Sequence, residues 1–285
     1  MVNEEKIAII TGADGGMGRE ETRAVAEAGY KVIMACYAPA LAAPVCEQLK
    51  AETGNQNIEV IGIDLANLSS VRQFADTIKS RFDSVELLMN NAGTMETGRH
   101  ITVDALERTV SVNYVGPYLL TRLLLPLMHE GSRIVNMASC VYAIGHLDFP
   151  DFFERGRRGS FWRIPIYSNT KLAITLFTIN LAERVRERGI TVNATDPGVV
   201  STEIIRMQMF FDPITDLIFR PCIRTPRQGA DTAIRLLLDE DKAGQTGHLW
   251  RSGHIVNIGE KFYHHPQMQQ LWEETEKRVG AIETS

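Results

Sequence analysis

At 285 residues the chain sits near the upper limit for one hydrophobic core, and 44% hydrophobic with 23% charged residues is the make-up of an ordinary globule, too apolar for disorder and too polar for a membrane bundle. A formal charge of −5 argues against a general nucleic-acid binder, which needs a basic face to displace counterions. Cys36, Cys46, Cys140 and Cys222 show no CxxC pair and no metal-finger spacing, so they are expected to be reduced thiols of a cytoplasmic protein.

In chain order, Ile7–Thr11 is an apolar run that ends in a Gly-rich turn, and 19–28 follows as a helix closed by Gly29. The alternation goes on with a strand at Lys31–Cys36, a helix at 40–53, a strand at 58–63, a helix at 69–82 and a strand at 86–90. The region 102–129 reads as one long helix that Pro117 and Pro126 bend or end. A fifth strand at 133–138, a helix at 167–188 stopped by Gly189, and a strand at 190–195 complete the rhythm. The helix 226–239, an edge strand within 247–258 and a helix at 266–280 close the chain. Strands alternating with helices predict an α/β fold with a parallel sheet, and near-continuous apolar strands predict helices on both faces.

Two segments break the pattern and are expected to be substrate-side insertions in a single domain spanning 1–285. The connection 145–165 is long and rich in aromatics and arginine, and 201–221 is apolar and methionine-rich. The polar residues 1–6 lead straight into a strand, leaving no room for a signal peptide. The most apolar stretch, 119–127, is broken by Thr121 and Arg122 and falls short of the roughly 20 residues of a membrane-spanning helix.

Between the first strand and first helix stands Thr11-Gly12-Ala13-Asp14-Gly15-Gly16-Met17-Gly18. Glycines there allow a tight turn and bring helix N-terminal amides to a pyrophosphate, with the helix dipole behind them. Further on, Tyr167-Ser168-Asn169-Thr170-Lys171 sets a phenol and an ammonium four residues apart, on one face of a helix. A free phenol titrates at about 10, and a neighbouring ammonium is expected to bring it down toward the working range, so that Tyr167 can shuttle a proton.

The TGxxxGxG spacing, Asn90-Asn91-Ala92-Gly93 after the fourth strand, Asp64-Leu65 after the third, and the YxxxK pair together resemble the short-chain dehydrogenase/reductase family over most of the chain. The long stretch between Ser139 and Tyr167 and the ending Gln270-Leu271-Trp272 resemble its retinol-dehydrogenase and protochlorophyllide-reductase-like branch. The resemblance implies a Rossmann fold, a doubly wound sheet, and hydride transfer between a nicotinamide cofactor and a carbonyl or secondary alcohol. It implies catalytic roles for Asn113, which holds a water leading to Lys171, for Ser139, which polarises the substrate oxygen, and for Tyr167 and Lys171. Cofactor contacts are implied at Gly12, Asp14, Gly16, Met17, Gly18, Tyr37, Asp64, Leu65, Asn91, Ala92, Gly93, Tyr167, Lys171, Pro197, Gly198, Val200 and Thr202. A catalytically silent nucleotide-binding regulator on the same fold is the alternative.

NAD would normally be marked by an acid at the end of the second strand, and NADP by an arginine. The sequence there is Ala35-Cys36-Tyr37, so NAD(P) is expected with the balance toward NADP, and Arg19 is the nearest candidate to meet the extra phosphate. Met207, Met209, Phe210, Phe211, Leu217, Ile218 and Phe219 suit a bulky apolar substrate, or a lid packed on itself. Arg155, Arg157, Arg158 and Arg163 read as an anion site or a solvated loop. The histidines lack carboxylate or cysteine partners at ligand spacing, so no metal is expected. By the same resemblance, helices 102–129 and 167–188 are where a homodimer or homotetramer would meet.

Overall fold

The computed structural model describes residues 5–152, 163–200 and 224–282. Its first half follows the alternation: β1 (Ile7–Thr11), α1 (Gly16–Glu27), β2 (Lys31–Cys36), α2 (Pro39–Thr53), β3 (Ile58–Gly62), α3 (Leu68–Arg81) and β4 (Leu87–Asn90). Local chemistry sets the helix ends. The Asn67 side chain accepts from the Ser69 and Ser70 amides to start α3, and left-handed Gly54 ends α2.

The strands form one sheet in the order β3-β2-β1-β4-β5-β6-β7-β8, with β5 at Arg133–Met137, β6 at Thr191–Thr195, β7 at Leu249–Arg251 and β8 at His254–Ile255. All neighbours run parallel except β7 and β8. The region 247–258 is therefore a short hairpin rather than one strand. The two-residue periodicity of the strands divides the core in two. Ile7, Ile9, Ile33, Leu88 and Ile134 pack on one face with Phe74, Tyr118 and Phe177, while Ala8, Ile10, Met34, Met89 and Val135 pack on the other with Val25, Leu49 and Leu236. Helices thus cover both faces, as expected of a doubly wound sheet.

The long helix expected at 102–129 starts later and is not uniform. Residues 101–107 form a turn closed by the Ile101–Glu107 bridge, with Ala105 at φ 58. The Asp104 carboxylate accepts from the Leu68 amide at 2.8 Å, and the Glu107 carboxylate accepts from the Val110 amide at 3.1 Å, so helix begins at α4 (Arg108–Val110). A π turn, Ser111–Val115, then leads into α5 (Gly116–Leu124). The widened turn lets helix run on through Pro117, whose ring would otherwise clash with the preceding turn. Pro126 lies in a closing 3-10 turn, Leu125–Leu127.

A 3-10 turn, Cys140–Ile144, follows β5, and α6 spans Arg163–Arg184. Part of the 145–165 connection joins the core, since Leu147, Phe149 and Phe152 are buried. After β6 come α7 (Pro226–Leu238), opened by a Thr225–Gln228 capping box, then α8 (Glu260–Tyr263) and α9 (Met268–Val279). Helix α9 lies across α5 and α6: Trp272 packs on Tyr118 and Phe177 at centroid distances of 5.3 and 6.0 Å, and Arg122 bonds Glu276 at 2.7 Å. No helix of the described residues is long and apolar enough to cross a membrane.

Candidate active site

The strand order reverses between β1 and β4, and a doubly wound sheet opens a crevice at such a point, outside the carboxyl ends of its strands. Here the two ends are stitched together. The Asn91 side-chain amide donates to the carbonyls of Thr11 (2.9 Å) and Gly12 (3.2 Å), and the Ala92 amide donates to Thr11 Oγ1 at 3.0 Å. Gly12 has φ 61, and a Cβ on Gly18 would lie 2.1 Å from the Gly12 carbonyl oxygen, so the turn closes only with glycine at both places. Gly15 caps α1 without a side chain, nothing lies within 4 Å of where its Cβ would be, and the first turn carries no acid. The start of α1 thus has no side-chain cap and open space at Gly15, which fits a pyrophosphate at the helix N-terminus.

Met17 and Val200, far apart in sequence, come together over Gly229 of α7. A Cβ there would stand 2.6 Å from Val200 Cγ2 and 2.8 Å from Met17 Sδ. Val200 is held by a parallel bridge to Arg224, which also donates to the Pro197 carbonyl at 3.2 Å, and Gly198 turns the chain with φ 75. Asp14 lies beside the Cys36 thiol, which burial pushes up to about 12 with help from the Asp14 charge.

At the ends of β2 and β3, Tyr37 is exposed, and the Asp64 carboxylate accepts from the Ala66 amide at 2.8 Å. Leu65 is buried, and its carbonyl accepts from Ser111 Oγ at 3.2 Å, a close approach that requires Gly116. Arg19 donates through one terminal nitrogen to Glu52 of α2 at 2.8 Å, while its Nε is buried with no hydrogen-bond partner among the described residues.

Across the crevice, Lys171 is buried on α6 with Nζ donating to the Met137 carbonyl at 2.7 Å and lying 5.4 Å from the Tyr167 ring centroid. That bond fastens the helix to the end of β5, two residues before Ser139. Ser139 opens the 3-10 turn, which presses on α6 at Gly145, where a Cβ would lie 2.5 Å from the Ser168 carbonyl oxygen. Asn113, in the π turn, spends its amide on the Thr94 backbone, accepting at 2.7 Å and donating at 2.8 Å, and reaches Thr170 Oγ1 at 3.3 Å. A Cβ on Gly93 would lie 3.4 Å from Asn113 Oδ1 and 3.9 Å from Lys171 Nζ, so both residues border the Asn-Ala-Gly turn.

The electrostatics run against one sequence expectation. Burial pushes the Tyr167 phenol up to about 12, with the Asp196 charge and Cys140 adding to it, rather than an ammonium bringing it down. Burial also pulls the Lys171 ammonium down to about 8, against the attraction of Asp196. For both groups, removal from water is the largest cause. Asp196 is a site residue the sequence reading missed. It is buried at the end of β6, accepts from Arg251 Nε at 2.7 Å and from the Gly198 amide at 3.0 Å, and its place just before Pro197-Gly198 was the available signal. Thr202, Arg155, Arg157, Arg158, Cys222 and the segment 201–221 lie outside the described residues, whereas Arg163 donates to the Met95 carbonyl at 3.0 Å.

A family model described as short chain dehydrogenase matches residues 6–150 and 155–209. Retinol dehydrogenase 11 of Homo sapiens is 32% identical over 275 residues, covering 94% of this chain and 84% of the relative. Among solved structures, an uncharacterized protein from Mycobacterium paratuberculosis superposes with a TM-score of 0.76 at 26% identity, covering 96% of this chain and 93% of that one. A blue fluorescent protein from a metagenomic library, solved in complex with NADPH, gives a TM-score of 0.69 at 25% identity, covering 86% and 95%.

Proposed function

The chain belongs to the short-chain dehydrogenase family and is an NAD(P)-dependent oxidoreductase, and from that premise we propose that it interconverts a bulky apolar carbonyl compound and its alcohol, with Tyr167 as the proton-transferring acid and base. The observation that carries this reading is the Lys171 to Met137 bond at 2.7 Å, which sets the Tyr167–Lys171 face of α6 against the strand end that bears Ser139.

When bound, the nicotinamide supplies or accepts the hydride at the substrate carbon. In this reading Gly12, Gly16, Met17 and Gly18 hold the pyrophosphate, while Tyr37, Asp64, Leu65, Asn91, Ala92 and Gly93 line the adenosine half. Pro197, Gly198 and Val200 line the nicotinamide half. Ser139 donates to the substrate oxygen, and Tyr167 passes it the phenolic proton. A phenol held near 12 keeps its proton at neutral pH, which suits carbonyl reduction. Lys171 orients the cofactor ribose and stands ready to restore the proton. Pro117 has no N–H to give the carbonyl four residues back, which is that of Asn113, and this carbonyl is our choice for the water that leads to Lys171.

The apolar character of the substrate is supported by the make-up of 201–221 and by the name retinol dehydrogenase carried by the relative. The free thiols of Cys36, Cys46 and Cys140 favour the cytoplasm. A homodimer or homotetramer, retained from the resemblance, has to use a surface other than the face of α5 and α6 that α9 covers.

Tyr167→Phe tests the assignment. Turnover, followed at 340 nm across a screen of ketones and alcohols with both cofactors, should fall at least about 100-fold while NADPH binding is kept. Turnover equal to that of the parent protein would exclude Tyr167 as the acid.

A further inference from the structure

A protein that prefers NADP has to meet the 2′-phosphate of the adenosine ribose with a cation, and an arginine near the end of β2 is the usual source. Tyr37 stands at that end here, Asp14 adds negative charge in the neighbouring turn, and Arg19 is bonded to Glu52 of α2, with no hydrogen bond or ring contact to Tyr37 among the described residues. A guanidinium nevertheless reaches this edge from elsewhere. Arg108 opens α4 with its guanidinium carbon 5.5 Å from the Tyr37 ring centroid and its Nε 3.2 Å from Glu96 Oε1.

Its backbone is well anchored. The Arg108 amide donates to the His100 carbonyl at 2.8 Å, and the neighbouring Glu107 caps Val110. Glu96 is itself fixed by Thr94 Oγ1, which donates to it at 3.0 Å, so the carboxylate grips the guanidinium by its Nε edge. The fork of a guanidinium has two further nitrogens, and the Arg108 side chain remains 35% exposed, within reach of a solute. Burial works against its charge, but contact with Tyr37 and the carboxylates of Glu96 and Asp64 more than offset this and keep it cationic. Asp64 follows β3 and its charge acts on Arg108, so the cation stands by the residues that follow β2 and β3, on the adenosine side of the proposed crevice.

We infer that Arg108 is the cofactor-discriminating residue of this chain, its guanidinium meeting the 2′-phosphate of NADP while the flat Tyr37 ring holds the fork in place. The assignment rests on the nicotinamide-dependent reading above and specifies how that site distinguishes its two dinucleotides. It also accounts for Tyr37, which offers a stacking surface and no charge of its own.

Equilibrium titration of the purified protein with NADPH and with NADH, followed by nucleotide fluorescence, tests it without any substrate. The parent protein should bind NADPH more tightly. Arg108→Gln should weaken NADPH about 10- to 100-fold, the worth of a charge-assisted contact, and leave NADH within about twofold. Adding Tyr37→Arg to that variant should recover NADPH affinity by supplying the cation from β2, a rescue that damage to the fold would not allow. Equal losses for the two dinucleotides, or equal affinities in the parent, would overturn the role of Arg108 alone. Binding of neither would overturn the oxidoreductase reading and this assignment with it.

Discussion

Glu21 illustrates how much a single side chain can bias this molecule. It faces inward from α1, is fully buried, and neither carboxylate oxygen has a hydrogen-bond partner among the described residues. Burial raises it from an ordinary 4.5 to about 8. Between those two values the folded chain holds a proton that the unfolded chain has released, so stability falls as pH climbs through that window. Below 4.5 both states are protonated and the group is neutral in effect. Glu21→Gln should therefore leave the melting temperature nearly unchanged at about pH 3.5 and raise it by several degrees at pH 8, a gain on the order of a few kcal/mol. Scanning fluorimetry at the two pH values measures it, and a shift independent of pH would exclude the buried-acid account. The same contest between burial and charge governs Tyr167 and Lys171. Their YxxxK spacing was legible, whereas their proton affinities depended on Asp196 and on the depth of the cleft, which spacing does not encode.

At the level of elements, the site depends on close approaches that only glycine permits. The 3-10 turn Cys140–Ile144 places Ser139, and it can lie on α6 only because Gly145 has no side chain, a Cβ there falling 2.7 Å from Leu172 Cβ as well as against the Ser168 carbonyl. Gly145→Ala should push the turn off the helix by a fraction of an ångström to an ångström. Turnover should then drop by about 10-fold or more, because misplacement on that scale is costly for reacting groups. Cofactor affinity, which the proposed reading assigns mainly to the β1 turn and the residues after β4, should stay close to that of the parent. Steady-state kinetics beside NADPH titration separates the two, and equal losses in both would show that the turn supports the whole crevice. The π turn before Pro117 is a second such device. Pro117 marked a disturbance in the sequence, yet only neighbouring elements decided that it would be a widened turn carrying Asn113 rather than a helix end.

Across the whole molecule, α9 acts as a strap. Trp272 is nearly buried between Tyr118, Phe177 and the guanidinium groups of Arg122 and Arg184, 4.6 and 4.0 Å from its ring, while Thr275 Oγ1 meets the Tyr114 hydroxyl at 2.8 Å. Trp272→Ala should cost about 3–5 kcal/mol in denaturant unfolding, the range for a truncated core aromatic. NADPH affinity should hardly change, since these contacts lie beyond Lys171 along α6. A loss of binding as large as the loss of stability would show that the strap and the crevice are one unit.

The order of strands and helices, the glycine turn and the Tyr–Lys pair were determined by the sequence itself, because periodicity, turn chemistry and helical spacing act over a few residues. Placement of Arg108 over Tyr37, of Arg251 on Asp196, and of α9 across α5 and α6 was decided only in the tertiary structure. These partners lie tens of residues apart, and the free energy of their contacts exists only once the sheet has brought their elements together.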